Sequence, residues 1–309
     1  MIRWALQWSP TNLPIPINII VLTTLSTLFN AIFDILSFSS FIILVVLGLG
    51  IIASMMGVFN FAHGEFVLLG AYHVYLFSVW GLPIWLGMLT APIVVALVGL
   101  FLERTIIHRF YIAPVAGMLV LYAIGIIIRE SVRDLTGGLY YSVPKPVSGA
   151  WNFGDVTIAR WGTTVILITA LVVMASHMLI RKTTWGLKMR AALENPELAR
   201  ASGISTTKLY ALTFSFGAAL AGLAGALMVP QFSLFADLGV RFLIWGFLAV
   251  MLGGFGTFEG PVLGAAVIGS MTSGFPWIMN PYVGDVLVFV LAVVIVRIKP
   301  MGLFSNRRI

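Results

Sequence analysis

Four short stretches of this chain carry residue types that can do chemistry. The first is Asn60-Phe-Ala-His63-Gly64-Glu65, where an amide, an imidazole and a carboxylate stand between two apolar runs. Ionisable side chains in such a place are costly in lipid and face protein or water, so one reading is that they gate or line a pathway. The other is that His63 and Glu65 cap a tight cytoplasmic turn at the interface. Gly64 permits a sharp turn or a close helix approach. A His-x-Glu pair with no further ligands at suitable spacing does not make a zinc site, and no metal is expected. The second stretch is the charged group Arg129, Glu130, Arg133 and Asp134, in which Glu130 and Arg133 stand three apart and can pair on one helix face. It reads as an outer-face cluster, better suited to anchoring at the interface or meeting an outer partner than to direct contact with a solute.

The third stretch runs from Thr184 to Gly203 and has a helix written into it. Asn195 is a good N-cap, Pro196 suits the first helical position, and Glu197 lies in the first turn, where the helix dipole favours an anion. Gly203 fits the left-handed position that ends a helix. The result is about two turns presenting Leu198, Ala201 and Ser202 beside Arg200, with the small Ala199 among them. Two turns are too few to be stable in water, so the element either meets a partner surface or is an ordinary capped turn in a basic loop. The fourth stretch, Gly253-Gly254-Phe255-Gly256-Thr-Phe-Glu-Gly260, is rich in glycine but has no lysine to meet a β/γ phosphate, so it is no P-loop. The chain is not expected to hydrolyse ATP or to bind a cofactor of its own. No Ser/His/Asp or paired-carboxylate arrangement suggests catalysis, and no catalytic residues are assigned. Gly253, Gly254 and Gly256 join Asn60, His63, Gly64 and Glu65 as candidate pathway or gating positions.

The elements that must hold these residues follow from composition. Of 309 residues 60% are hydrophobic and 9% charged, with a mean hydropathy of +1.05. Soluble domains carry roughly 25% charged residues, so this chain cannot cover a water-facing globule. A spanning helix uses about 20 residues, which leaves room for at most about a dozen spans. The net charge of +7 does not point to nucleic acid, because the basic residues fall in short gaps between apolar runs. There is no cysteine. The early segment is broken by Pro10, Pro14 and Pro16 and shows no cleavable signal, so the first span is expected to direct insertion.

Ten apolar segments are expected, at roughly 18–38, 40–58, 61–80, 83–102, 115–133, 162–180, 209–229, 241–258, 261–279 and 284–298. The fold expected is therefore all-α, a single transmembrane domain over 1–309 with about eight to ten helices, some broken or re-entrant. With ten crossings and an N-terminus in the cytoplasm, 13 of the 18 Lys and Arg residues fall inside, which the positive-inside rule favours. Both termini are then expected in the cytoplasm, with residues 181–208 as a basic cytoplasmic loop and 136–161 as an ordered outer loop. A weak repeat, A-x-M-[ML]-G-x-F-x4-G, relates Ala53–Gly64 to Ala249–Gly260. If real, it places a pathway between corresponding glycine-interrupted segments.

Several of these stretches carry a family resemblance. Glu197-Leu-Ala-Arg-Ala-Ser-Gly203 resembles the E-A-A-x-x-x-G coupling motif of ABC importer permeases, with Leu198 in place of the first Ala. Met56-Gly-Val-Phe-Asn-Phe-Ala-His-Gly-Glu65 is similar to the N-F-A-H-G-E signature of branched-chain amino acid permeases. Leu212 to Gly225 resembles the Gly/Ala-rich span after their coupling loop, and Leu252 to Gly264 their G-G-x-G-[ST]-x-x-G-x-x-x-G turn. The matches run in family order over roughly residues 45–270. The resemblance implies a permease subunit of a bacterial-type inner-membrane importer for branched-chain or other hydrophobic amino acids, with urea or short amides as the alternative cargo. It also implies a heterodimer with a second related permease, two cytoplasmic ATPases that hold the Mg-ATP, and an extracytoplasmic solute-binding protein. Asn195 to Gly203 would be the part gripped by an ATPase. A stand-alone secondary transporter is the competing class; it would need acids at midplane, whereas Asp34, Glu103, Asp237 and Asp285 map near segment ends.

Overall fold

The computed structural model describes residues 17–57, 59–111, 113–254 and 256–304. In chain order the helices are α1 (Ile17–Met56), α2 (His63–Val79), α3 (Ile84–Thr105) and α4 (Pro114–Thr136), then an antiparallel hairpin of β1 (Ala150–Phe153) and β2 (Val156–Ala159). They continue with α5 (Arg160–Lys182), α6 (Thr184–Glu194), α7 (Pro196–Ala201), α8 (Thr206–Met228), α9 (Leu238–Gly253), α10 (Glu259–Gly274) and α11 (Pro281–Ile298). The protein is an all-α polytopic membrane protein. Six described helices, α1, α3, α4, α5, α8 and α11, are long and apolar enough to cross a membrane. The shorter α2, α9 and α10, at 17, 16 and 16 residues, start or stop inside the bundle or at its edge.

The expected pair of segments 18–38 and 40–58 is one 40-residue helix, α1. Ser39 and Ser40, at the expected boundary, are accommodated because each finds a partner. Ser40 Oγ donates to the Leu36 carbonyl one turn back at 2.8 Å, and Ser39 Oγ lies 3.5 Å from Ser270 Oγ on α10. The fusion also moves Asp34 from a segment end into the middle of a helix.

Small residues decide which helices are central. The most apolar windows of α1 and α8 are each 72% buried, against 28% or less for those of α3, α4, α5 and α11. Along α8, Gly217 packs on Gly48 of α1 and Gly222 meets Gly70 of α2 backbone to backbone. Without a hydrophobic drive between helices in lipid, close backbone approach of this kind is what holds them together. The core so built joins α1, α2, α8, α9 and α10.

Contacts along α1 fix its direction. Near its start, Asn30 accepts from Thr157 N at 2.9 Å and donates to Asp155 O at 3.3 Å, both in the β-hairpin. Further on, Leu47 and Ile51 share a second apolar cluster with Ile180, Met189 and Ala199 of α5, α6 and α7. The hairpin and α6–α7 therefore lie on opposite sides of the bundle. After α11 the chain returns to the α6–α7 side, where Leu303 N donates to Leu252 O at 2.7 Å at the end of α9. The described start and end of the chain thus fall on opposite sides, unlike the arrangement of ten crossings. Arg3, Arg307 and Arg308, which entered the count of basic residues, lie outside the described residues.

Candidate functional site

The chain after α1 turns back at Gly57, whose φ of +68° suits glycine, and climbs to the start of α2 inside the bundle. Asn60 shapes this entry. Its side-chain oxygen accepts from Ala62 N at 3.0 Å and its carbonyl from His63 N at 3.2 Å, and the residue is fully buried. His63 is equally buried, with Nε2 2.9 Å from the Val45 carbonyl of α1. A carbonyl can only accept, so Nε2 carries the proton and Nδ1 is left bare; no side chain or backbone group meets it. His63 and Glu65 therefore do not cap a turn at the interface. They stand in the interior, His63 beside Val45 and Gly48 of α1.

Gly64 brings a second helix to the same point. A Cβ on Gly64 would lie 2.6 Å from the Gly239 carbonyl oxygen, and one on Gly239 would collide with the Gly64 carbonyl. Gly239 is the second residue of α9. From this crossing α2 runs toward the hairpin side and α9 toward α6–α7, so two helix N-termini meet inside the protein.

Four charged groups converge on this junction with Glu65. Arg129 of α4 approaches three carboxylates, with 3.5 Å to Glu65, 3.6 Å to Glu130 and 3.7 Å to Asp237. Arg133, one turn on, pairs with Glu130 at 2.9 Å and makes two bonds to Asp237 at 2.9 and 3.1 Å. The expected Glu130–Arg133 pair is therefore present, but the cluster is not confined to the outer face. Arg129 and Glu65 expose only 18% and 5% of their side chains, whereas Arg133, Glu130 and Asp237 are 40 to 49% exposed. Charge thus runs from the surface into the core. Asp134 is exposed and takes no part in it. Asp237 was missed by sequence reading, where it showed only as an acid before an apolar run.

Gly253, Gly254 and Gly256 are not brought to this junction. Fourteen residues of α9 separate Gly239 from Gly253, about 21 Å of helix. Gly254 and Gly256 have φ of +93° and +85°, and Gly253 packs against the backbone of Gly260 and hydrogen bonds Phe304 N through its carbonyl. They lie where the chain leaves α9, covered by Gly302, Leu303 and Phe304. Among the described residues, no three His, Asp or Glu side chains gather to hold a metal ion.

On the opposite side from the hairpin, α7 has the caps its sequence specifies. Asn195 Oδ1 accepts from Glu197 N at 3.1 Å and Leu198 N at 2.9 Å, Pro196 opens the helix, and Gly203 closes it at φ +81°. Ala199 is buried in the second apolar cluster, while Leu198 is 64% exposed beside Arg200, Ala201 and Ser202.

The family described as branched-chain amino acid transport system, permease component, matches residues 31–296. The chain belongs to that family. The matched stretch takes in the charged junction and α7 alike. High-affinity branched-chain amino acid permeases named LivH from Salmonella typhimurium and BraD from Pseudomonas aeruginosa are each 26% identical to the chain over 280 residues. Those alignments cover 85% of this chain and 91% of each relative. A probable branched-chain amino acid permease of Methanocaldococcus jannaschii is 26% identical over 245 residues, 75% of this chain and 76% of the relative. The chain is accordingly a permease subunit of an ABC-type transporter and not an enzyme.

Proposed function

We propose that this permease forms half of the translocation path of an inner-membrane importer for branched-chain or other hydrophobic amino acids. It would work with a second, related permease and two cytoplasmic ATPases that bind and hydrolyse Mg-ATP. An extracytoplasmic solute-binding protein would deliver the cargo on the hairpin side. The names of the relatives support the cargo; the form of α7 supports the drive.

The observation that carries the reading is the division of labour within α7. Ala199 is rooted in the bundle, while Leu198 next to it is left exposed. A six-residue helix cannot hold itself together in water, yet this one is capped at both ends and seated on α5, α6 and α8. Leu187 of α6 adds a second exposed apolar side chain on that side of the protein. A partner that took Leu198 into a groove would grip a handle fixed to the membrane core. Movement of that handle would reach α8 through Leu209 and the central helices through Leu47 and Ile51.

The test is an alanine series at Leu198 and Arg200 in the complete transporter reconstituted in vesicles. Both variants should leave the complex folded and strongly reduce ATP-driven leucine uptake, with hydrolysis no longer stimulated by loaded binding protein. Full uptake in both variants would overturn the reading.

A further inference from the structure

A cavity of about 420 Å³ opens between α1, the start of α9, the end of α10 and the start of α11. Its place is on the hairpin side of the bundle: Asp34, in its wall, is one turn of α1 inward from the Asn30 that holds the hairpin. The volume lies within the range of small-molecule sites. Three ionisable side chains from three helices line it, Asp34 of α1, Arg241 of α9 and Asp285 of α11. Elsewhere Arg129 and Arg133 pair with carboxylates, and Arg181 pairs with Glu259 at 2.7 Å. Among the described residues, Asp34, Arg241 and Asp285 form no ion pair with each other or with any other side chain. Thr272 contributes a hydroxyl with no hydrogen-bond partner, and Phe232 and Trp277 supply apolar wall.

We infer that this cavity receives a zwitterionic α-amino acid with an apolar side chain, and so gives the proposed importer a solute site on its outward side. The inference rests on that proposed function for its physiological cargo, and on the lining for its chemistry. Two carboxylates suit an ammonium group, and one guanidinium suits a carboxylate, with geometry that favours bidentate contact. A simple anion would meet two like charges and a simple cation would meet Arg241, so a ligand carrying both signs matches best. The aromatic wall would take the aliphatic part. Asp34 and Arg241 are exposed and Asp285 is half-buried, so a solute entering the cavity can reach all three.

The experiment uses the complete transporter in lipid nanodiscs, free of nucleotide and of binding protein. L-leucine is the probe, read by saturation-transfer NMR. Two half-ligands accompany it: 4-methylpentanoate, which lacks the ammonium, and 3-methylbutylamine, which lacks the carboxylate. Leucine should bind at least tenfold more tightly than either. Arg241→Gln should weaken leucine at least tenfold while sparing the amine, Arg241→Lys should restore part of the loss, and Asp34→Asn with Asp285→Asn should spare the acid. Variants are compared only where they elute with their partners as the parent does. Absence of leucine binding, equal binding of the half-ligands, or indifference to all these variants overturns the site. Leucine uptake in vesicles separates the two proposals. Uptake that survives unchanged in the cavity variants leaves the transport reading standing without the cavity. Binding lost in Arg241→Gln, in a parent that takes up no leucine, keeps the cavity and overturns the transport reading.

Discussion

Arg129 and Glu65 are unequal partners, and the inequality can be tested. Glu65 is almost wholly buried and Arg129 is its single cation among the described residues, while Arg129 also faces Glu130 and Asp237. Removing the cation leaves a carboxylate in the interior with nothing to balance it, a change that typically costs about 3–5 kcal/mol. Removing the carboxylate charge leaves the cation with two others. Arg129→Ala should therefore destabilise the purified protein much more than Glu65→Gln, and adding Glu65→Gln to Arg129→Ala should recover part of the loss. Thermal unfolding in detergent measures all three; equal costs for the single variants would mean that Glu65 does not depend on Arg129. Backbone contact at the same junction sets a second expectation. Gly239→Ala forces α9 away from α2, and overpacking of this kind costs about 1–3 kcal/mol. At Gly246 an added methyl meets only side-chain methyls, of Leu49 at 3.3 Å and of Val45 and Val46 at 3.7 and 3.8 Å, so Gly246→Ala serves as the mild control.

At the scale of elements, the parts legible in the sequence are those governed by neighbours along the chain. Asn195, Pro196, Glu197 and Gly203 specify α7 through capping chemistry that spans nine residues, and the structure contains those caps. The charged junction was only half visible, because Asp237 is 104 positions from Arg133 and no local pattern links them. The break expected at residue 39 is absent. A serine hydroxyl can return to its own helix or cross to another, and both happen in α1. The weak repeat between Ala53–Gly64 and Ala249–Gly260 marks a shared local form, a helix end, a glycine at positive φ and a new helix, at α1–α2 and again at α9–α10. Local control of α7 has its own consequence. Asn195→Ala removes the acceptor for two backbone N–H groups, a loss of about 0.5–2 kcal/mol that a six-residue helix cannot absorb. Amide exchange should quicken across residues 195–203 and leave α8 protected, and uptake should fall with it. An exchange rate unchanged at Leu198 would show that the seat on the bundle, not the cap, maintains α7.

At the scale of the whole molecule, fusing two expected spans into α1 reverses where the chain starts relative to everything after it. Arg104, Arg109, Arg181, Lys182, Lys188, Arg190, Arg200, Lys208, Arg297 and Lys299 still gather on the α6–α7 side, so the positive-inside rule predicts that this side faces the cytoplasm. On that prediction the described start of α1 and the hairpin face the outside. The chain contains no cysteine, so single cysteines can be read without background. Four exposed positions suffice: Leu28 on α1, Trp151 on the hairpin, Leu198 on α7 and Met301 beyond α11. A membrane-impermeant maleimide should label Leu28→Cys and Trp151→Cys from the outside of right-side-out vesicles. Leu198→Cys and Met301→Cys should react only in inverted vesicles. Labelling of Leu28→Cys and Met301→Cys from the same side would mean that the chain crosses an even number of times between them, and α1 could then not be the continuous helix on which the placement of Asp34 and the hairpin depends.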